Sequence, residues 1–262
     1  MGTNKVISKD GTEIAYNQAG SGFPLIIVDG AFCSRLFGLS VDGAVLLAPN
    51  FKVISYDRRG RNESGDTKSY SVEREIEDLD ALIQMAGGSA YVFGYSSGAA
   101  LAILATASGL NIKKLALYDP PYTTDDNPSA HPDAVAVLTA MIVAGKKEEA
   151  IEYFFQDLSG VPSFVVNGMR SSPFWKTAIA IAHTLPYDAA IMGDCAIPVK
   201  KAQAIKIPTL VSGGGKTDPQ AQQVVKTLAA TISNSTLKIL EGQDHQVSMK
   251  VLAPVLMEFF ID

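Results

Sequence analysis

Residues 90–104 have the sequence AYVFGYSSGAALAIL, and this stretch decides how the rest of the chain is interpreted. Its first residues alternate aromatic and aliphatic side chains, which predicts a short buried strand. Its last residues are rich in alanine and leucine, which predicts a helix. Between them lies a G-x-S-x-G pattern, whose glycines allow neighbouring backbone to come close at a sharp turn. We therefore interpret Ser96 as a nucleophile, with a capping serine in a glycine-flanked turn as the alternative.

The composition is that of a globular protein with a substantial core. The chain has 262 residues, 47% of them hydrophobic, which suits one large α/β domain or two small ones. A net charge of −5 without a basic run disfavours a nucleic-acid partner. No apolar run reaches membrane-spanning length, and the first residues lack the apolar region of a secretory signal.

The cysteine count indicates the compartment. Two cysteines, Cys33 and Cys195, are too few for a disulfide framework or a metal-ligand cluster. We expect both to be buried thiols in a reducing environment. The sequence thus predicts a cytoplasmic protein that acts on a small molecule without a metal, a membrane or a nucleic acid. It leaves open whether the chain forms a homo-oligomer.

Strand and helix patterns alternate along most of the chain. Strands are predicted at 25–28, 52–56, 114–118, 208–212 and 236–240, and helices at 71–85, 220–230 and 248–260, in addition to the strand and helix within residues 90–104. This alternation predicts a mostly parallel twisted sheet flanked by helices, with functional residues at the carboxyl ends of strands. Residues 122–197 show only helical patterns, at 134–144, 148–158 and 174–184. We therefore predict a core of residues 1–121 and 198–262 with a helical insertion at 122–197.

A serine nucleophile needs a base, which in enzymes is usually an imidazole oriented by a carboxylate. The chain has three histidines, and His131 and His183 both fall in the predicted insertion. His245 follows the strand predicted at 236–240, so it lies on the same rim of the sheet as Ser96. We predict His245 to be the base.

The carboxylate has more than one candidate. Asp218 ranks first, because it follows the strand at 208–212, and the loop that carries it is one strand before that of His245. Asp119, at the end of the strand at 114–118, is the alternative on the same rim. Asp244 ranks last, because it would have to fold back on its neighbour. Asp218 also fits a second interpretation, since Pro219 follows it and Asp-Pro is a common helix start.

Backbone N–H groups are expected to stabilise the oxyanion that forms when a serine attacks a carbonyl. Ser97, at the start of the helix after the turn, would supply one N–H, and Ala31, after the strand at 25–28, the other. The glycines at 213–215 precede Lys216 and Thr217, but the full spacing of a phosphate-binding loop is missing. The sequence therefore predicts an oxyanion hole and disfavours a phosphate site.

The order Ser96, Asp218, His245 resembles that of the α/β-hydrolase superfamily, and the DRRG segment at 57–60 is similar to the D-x-R-G segment after its fourth strand. The resemblance covers nearly the whole chain, with residues 122–197 corresponding to the helical cap. It implies the α/β-hydrolase fold and a Ser–His–acid hydrolase without a cofactor. Apolar side chains of the cap favour a small, largely apolar ester, lactone or related acyl substrate; they are Phe154, Phe155, Phe164, Met169, Phe174 and Trp175.

The chain departs from the family pattern in three places. Asn62 replaces the glycine that is usual two residues after Gly60, and asparagine tolerates a left-handed conformation there. Members usually carry His-Gly at the exit of the oxyanion strand, whereas this chain has Asp29-Gly30. The Asp29 carboxylate either opposes the oxyanion, which would favour a ligand-binding protein with little or no turnover, or accepts hydrogen bonds from the loop near residues 32–34 and stabilises the turn. The loop before Asp218 is also one residue longer than usual, which keeps Asp119 open as the acid.

Overall fold

A computed structural model describes residues 3–124, 131 and 133–262. In these ranges, eight strands form one sheet: β1 (Asn4–Ile7), β2 (Glu13–Ala19), β3 (Pro24–Val28), β4 (Lys52–Tyr56), β5 (Ala90–Tyr95), β6 (Ile112–Tyr118), β7 (Thr209–Gly214) and β8 (Ser235–Leu240). Their order is β1-β2-β4-β3-β5-β6-β7-β8, antiparallel from β1 to β4 and parallel from β4 to β8. The mostly parallel sheet predicted from the sequence is confirmed.

Helices cover both faces of this sheet. They are α1 (Leu39–Leu47), α2 (Val72–Ala86), α3 (Ser97–Ala107), α4 (Ala134–Val143), α5 (Lys147–Tyr153), α6 (Ser163–Met169), α7 (Pro173–Ile181), α8 (Leu185–Met192), α9 (Val199–Ala204), α10 (Pro219–Thr231) and α11 (Met249–Ile261). A π-helical turn, Phe154–Leu158, continues α5, and a 3-10 turn, Ala182–Thr184, joins α7 to α8. In the described ranges, no helix combines the length and the apolar character that crossing a bilayer requires.

Successive side chains of a strand point to opposite faces of the sheet, so each strand contributes to two hydrophobic clusters, one on each face. Ile26 and Val28 of β3 pack with α2, α3 and α10, whereas Leu25 and Ile27 pack on the opposite face with α1 and α11. All five residues of β3 are buried, which explains why its sequence is a continuous apolar run. The parallel strands all end at one rim, and this rim carries the candidate site.

The helices between Ala134 and Met192, α4 to α8, are called the cap helices below. They share a hydrophobic cluster of their own, to which Phe32 of the sheet domain contributes. Helices α6 and α8 were not predicted, whereas α4, α5 and α7 overlap the helical segments predicted at 134–144, 148–158 and 174–184. The limits of the insertion at 122 and 197 stay a prediction, and residues 125–130 and 132 of it lie outside the described residues.

Candidate active site

Ser96 lies at the sharp turn between β5 and α3. Its backbone has φ 55° and ψ −127°, a conformation that is strained for a residue with a side chain. Glycines make the turn possible: a Cβ on Gly98 would lie 2.1 Å from the Val28 carbonyl oxygen, and one on Gly94 would lie 2.7 Å from Ala99 Cα. Ser96 is part-exposed although its neighbours are buried. The turn therefore presents the Ser96 side chain at the rim of the sheet, as the G-x-S-x-G pattern predicts.

His245 lies on the loop between β8 and α11, beside this turn. The Tyr95 hydroxyl donates to the His245 carbonyl oxygen at 2.9 Å, and the Tyr118 hydroxyl donates to the Asp244 carbonyl oxygen at 2.7 Å. The Tyr95 and His245 rings are 5.2 Å apart between centroids. Because Tyr95 ends β5 and Tyr118 ends β6, these contacts fix the His245 loop at the carboxyl ends of both strands. Among the described residues, the Ser96 hydroxyl has no hydrogen-bond partner, a common state before substrate binds.

Asp119 is the carboxylate that contacts the His245 ring. Its Oδ2 lies 2.6 Å from His245 Nδ1, and its side chain is only 5% exposed. Asp119 directly follows β6 with φ 50°, a left-handed conformation that aspartate tolerates better than most residues. Gly213 of β7 leaves room for this carboxylate, because a Cβ there would lie 3.2 Å from Asp119 Oδ1.

Asp218, ranked first from the sequence, has a different contact set. Its Oδ1 accepts from the backbone N–H groups of Gln220 at 2.9 Å and Ala221 at 3.0 Å, so it caps the start of α10. Asp244, ranked last, accepts from the Gln246 N–H at 2.9 Å. The prediction that Asp218 contacts His245 is therefore corrected in favour of Asp119. The physical reason is that the orphan N–H groups of α10 bind the Asp218 carboxylate.

Asp29 is buried at the end of β3, and its Oδ2 accepts from the Ser40 hydroxyl at the start of α1. The residue before this helix is Gly38, which has no side chain to cap it, and the Asp29 carboxylate is held by the Ser40 side chain in the first turn. Burial raises the pKa of Asp29 to about 6, against the lowering effect of the Ser40 hydrogen bonds. The Asp29 carboxylate thus binds Ser40 in the first turn of α1. The sequence analysis expected its donors near residues 32–34, and this expectation is corrected.

The predicted oxyanion donors belong to two segments that adjoin Ser96. Ala31 follows Gly30, which lies against the turn, since a Cβ on Gly30 would be 2.8 Å from Ser96 Cβ. Ser97 is the first residue of α3, where backbone N–H groups are free of helix hydrogen bonds. Phe32 has φ 62° and bends the chain directly after Ala31. The roles of Ala31 and Ser97 as donors stay predictions.

An aromatic cluster joins the oxyanion segment to the cap helices. Phe32 stacks on Phe155 with centroids 4.6 Å apart, and it meets Phe154 and Phe174 edge-on at 5.4 and 5.7 Å. Of the apolar cap residues singled out in the sequence, Phe154 and Trp175 are buried, whereas Phe164 is 75% exposed. The part-buried cap rings that contact Phe32 are therefore those of Phe155 and Phe174, whereas Phe164 is a surface residue.

Sequence reasoning missed a buried ion network behind the site. Arg58 contacts Glu75 at 2.6 Å and Asp188 at 2.7 Å, and Arg61 contacts Asp188 at 2.7 Å. Three arginines within 58–61, directly after a strand, were the available indication that buried carboxylates must be near. Asp188, by contrast, lies in α8 with no motif around it. In the part of the chain that the structure describes, no group of three or more His, Cys, Asp or Glu residues is arranged to hold a metal ion.

Comparisons with known proteins agree with this geometry. A family model described as "Alpha/beta hydrolase family" matches residues 20–253. An alpha/beta hydrolase from Sphaerobacter thermophilus DSM 20745 has a solved structure that is 48% identical, with a TM-score of 0.92, and the alignment covers 98% of this chain and 100% of that one. No curated protein matches the chain.

More distant solved structures share the fold. An esterase from Rhodococcus sp. ECU1013 has a TM-score of 0.71 at 19% identity, with 99% of both chains covered. The enol-lactonase from Burkholderia xenovorans LB400 has a TM-score of 0.72 at 17% identity, covering 99% of this chain and 100% of that one. The sheet order, the serine turn and the family match together lead to one conclusion: the chain belongs to the alpha/beta hydrolase family.

Proposed function

We propose that the protein is a serine hydrolase that cleaves a small, largely apolar ester, lactone or related acyl substrate, with Ser96, His245 and Asp119 as its catalytic triad. One observation carries this proposal: the 2.6 Å contact between His245 Nδ1 and the buried Asp119 carboxylate, beside the strained turn at Ser96. A histidine and a carboxylate meet at the point where a serine nucleophile needs its base.

The chemistry follows from the tautomer that this contact favours. With its Nδ1–H donating to Asp119, the imidazole presents a free Nε2 that accepts the Ser96 proton as Oγ attacks the substrate carbonyl. The leaving alcohol then takes that proton from Nε2, and Ser96 carries the acyl group. Water, deprotonated by Nε2, attacks the acyl-enzyme, and the proton returns to Ser96 as the acid is released. The Asp119 carboxylate orients the imidazole and stabilises the imidazolium at each step.

The negative charge that develops on the carbonyl oxygen needs donors in place beforehand. The N–H of Ser97, at the positive end of α3, and the N–H of Ala31 fill this role in the proposal. Each such donor contributes about 100- to 1,000-fold to turnover in serine hydrolases. The Asp29 carboxylate binds the start of α1 through Ser40, so it supports the segment that carries Ala31.

The substrate class is inferred from the surface around the turn. Phe32, Phe155 and Phe174 place aromatic rings between the oxyanion segment and the cap helices, where an apolar acyl group would be buried. The esterase and the enol-lactonase with the same fold act on ester-type bonds by their names, which is compatible with this class.

Labelling with a fluorophosphonate probe and hydrolysis of p-nitrophenyl acetate test the proposal. The wild-type chain should be labelled and should hydrolyse the ester, because only an activated serine does both. Ser96→Ala should abolish labelling and lower turnover by about a millionfold. Ser97→Ala is the matched control: it keeps its backbone N–H and should keep labelling, with a far smaller loss.

The alternative function is a ligand-binding protein with little or no turnover, which Asp29 suggested in the sequence. An unlabelled wild-type protein that still binds small apolar esters would support this alternative and overturn the proposed hydrolase.

A further inference from the structure

Asp188 is a fully buried carboxylate behind the site, and it belongs to cap helix α8. Its exposed fraction is 0%, yet both carboxylate oxygens have partners. Oδ1 accepts from Arg58 Nη1 and from the Ser97 hydroxyl, each at 2.7 Å, and Oδ2 accepts from Arg61 Nη2 at 2.7 Å. Burial alone would raise the pKa of Asp188, but the charges of Arg61 and Arg58 and the Ser97 hydrogen bond outweigh it and hold the pKa below its ordinary value.

One of these arginines reaches the oxyanion segment. Arg61 Nη1 donates to the Gly30 carbonyl oxygen at 2.6 Å and to the Cys33 carbonyl oxygen at 3.1 Å. The Gly30 carbonyl and the Ala31 N–H belong to the same peptide unit, which is planar, so the two groups point in opposite directions. A guanidinium that fixes the Gly30 carbonyl therefore also fixes the direction of the Ala31 N–H. A cation on this carbonyl further polarises the peptide and strengthens its N–H as a donor.

The other oxyanion donor has a link to the same carboxylate. Ser97 is the first residue of α3, and its hydroxyl donates to Asp188 Oδ1. Asp188 thus contacts Ser97 directly and Ala31 through Arg61, and it does so from a cap helix rather than from the sheet. A second arginine, Arg58, is anchored by Glu75 and donates to the same Oδ1, which leaves Asp188 a single well-defined position.

We infer that Asp188 is a positioning residue: it fixes both backbone donors of the oxyanion hole, Ser97 through its hydroxyl and Ala31 through Arg61. This inference rests on the proposed function, because it concerns the donors of that same site. The structure offers a matched control in Asp78, a carboxylate with 1% exposure that pairs with Arg59 at 2.6 and 2.8 Å. Arg59 contacts Asp10, Thr67 and the Arg74 carbonyl, away from the oxyanion segment.

The test compares Asp188→Asn with Asp78→Asn. Each variant is assayed with p-nitrophenyl acetate, and its turnover is divided by the number of sites labelled by fluorophosphonate at end point, which corrects for unfolded protein. Asp188→Asn should lower kcat per labelled site by about 10- to 100-fold with little change in KM, because a misdirected donor costs less than a lost one. Asp78→Asn should lose stability comparably and keep the wild-type kcat per labelled site.

A second measurement separates the oxyanion hole from a general structural effect. A trifluoromethyl ketone forms a tetrahedral adduct on the serine whose oxyanion lies in the hole. Its affinity for Asp188→Asn should fall in parallel with kcat, whereas the pH dependence of kcat should keep its wild-type shape. If Asp188→Asn does not fold, Ser97→Ala decides the question. It removes one of the bonds of Asp188 without burying an unpaired charge, and it should lower kcat per site about threefold to tenfold.

Two outcomes overturn the inference. One is a wild-type kcat per labelled site in the folded variants Asp188→Asn or Ser97→Ala. The other is an equal loss of kcat per site in Asp78→Asn, which would mean that any broken ion pair of the network has the same effect. Either result leaves the hydrolase proposal standing, since that proposal depends on labelling and turnover of the wild-type chain. An unlabelled wild-type chain would overturn both.

Discussion

Asp119 contacts the His245 ring through its Oδ2. Its other oxygen, Oδ1, is buried and has no hydrogen-bond partner among the described residues. An unpaired buried oxygen costs free energy in a protein interior, and such uncompensated groups are typical of functional sites. We expect Asp119→Asn to lower kcat about a thousandfold to ten-thousandfold, because the amide removes the charge that stabilises the imidazolium and allows the wrong tautomer of His245. The measurement is the kcat for p-nitrophenyl acetate per folded protein.

Asp218→Asn is the control for that prediction, since Asp218 is the sequence-based first choice for the same role. Asparagine is also a good helix N-cap, so this variant should keep the hydrogen bonds to the start of α10 and lose little activity or stability. A large loss of activity in Asp218→Asn with a small loss in Asp119→Asn would instead identify Asp218, in the loop after β7, as the carboxylate that orients His245.

Asp29 gives the protein a pH-dependent stability that can be measured. Because its pKa is about 6 in the folded chain against an ordinary value of 3.8, folding favours the protonated form. The stabilisation is complete below pH 4 and is lost as the pH rises to about 6, since the unfolded chain gives up the proton first. Asp29→Asn keeps an acceptor for Ser40 but cannot ionise.

The prediction compares the two proteins at several pH values. Between pH 4 and pH 7 the free energy of unfolding of Asp29→Asn should rise relative to the wild type by about 2 to 3 kcal/mol. Urea denaturation at each pH gives this difference, and groups common to both proteins cancel from it. A difference that stays constant over this range would show that Asp29 is ionised throughout.

Among the elements, the buried strands were predictable to within a residue or two. The predicted strand at 52–56 coincides with β4, and those at 25–28 and 236–240 differ from β3 and β8 by one residue each. Parallel strands are buried on both faces, so they appear as short continuous apolar runs between turn residues. The sharp turn at Ser96 was predictable for a similar reason, because its glycines are required by contacts with the neighbouring backbone.

Helix α1 shows why other elements were not predictable. Its sequence, LSVDGAVLL, is apolar on most sides and has Gly43 in the middle, so it lacks an amphipathic pattern. A Cβ on Gly43 would lie 2.9 Å from Ile27 Cδ1, so this glycine lets the helix pack closely on β3. Ser40, in its first turn, donates its hydroxyl to Asp29 at the end of that strand. Both causes are tertiary contacts, and neither can be seen in the local sequence.

The choice between Asp119 and Asp218 also depended on more than topology. The two residues follow neighbouring parallel strands, β6 and β7, so both lie on the rim that holds His245. What distinguishes them is local: Pro219 makes Asp218 a helix cap, and Gly213 leaves space for Asp119. The sequence contained the first of these indications, whereas the second requires the register between the strands.

At the scale of the whole molecule, the cap helices and the sheet domain meet at two kinds of contact beside the site. One is the buried charge of Asp188 with Arg58 and Arg61, and the other is the ring of Phe32 among the aromatic residues of the cap. The charged contact holds the backbone at 30–33, because Arg61 donates to the Gly30 and Cys33 carbonyl oxygens. The aromatic contact supplies apolar surface. Because both converge on the segment at 30–33, the identity of the cap residues should determine which acyl groups are accepted.

This division leads to a prediction about acyl-chain length. Phe155 stacks on Phe32 at 4.6 Å and lies 6.0 Å from Phe174, so Phe155→Ala opens space beside the oxyanion segment. Additional methylene groups of a longer acyl chain can be buried there, each contributing about 0.8 kcal/mol. We expect the ratio of kcat/KM for p-nitrophenyl octanoate to that for p-nitrophenyl acetate to rise about tenfold.

Phe164→Ala is the control for this last prediction, because it removes the same ring from the same cap at a position that is 75% exposed. It should leave the ratio of the two kcat/KM values unchanged, because the Phe164 ring does not belong to the aromatic cluster. An unchanged ratio in Phe155→Ala, or an equal rise in Phe164→Ala, would mean that the cluster does not line the acyl pocket. The apolar acyl class would then lose its structural support, whereas the proposed triad of Ser96, His245 and Asp119 would not be affected.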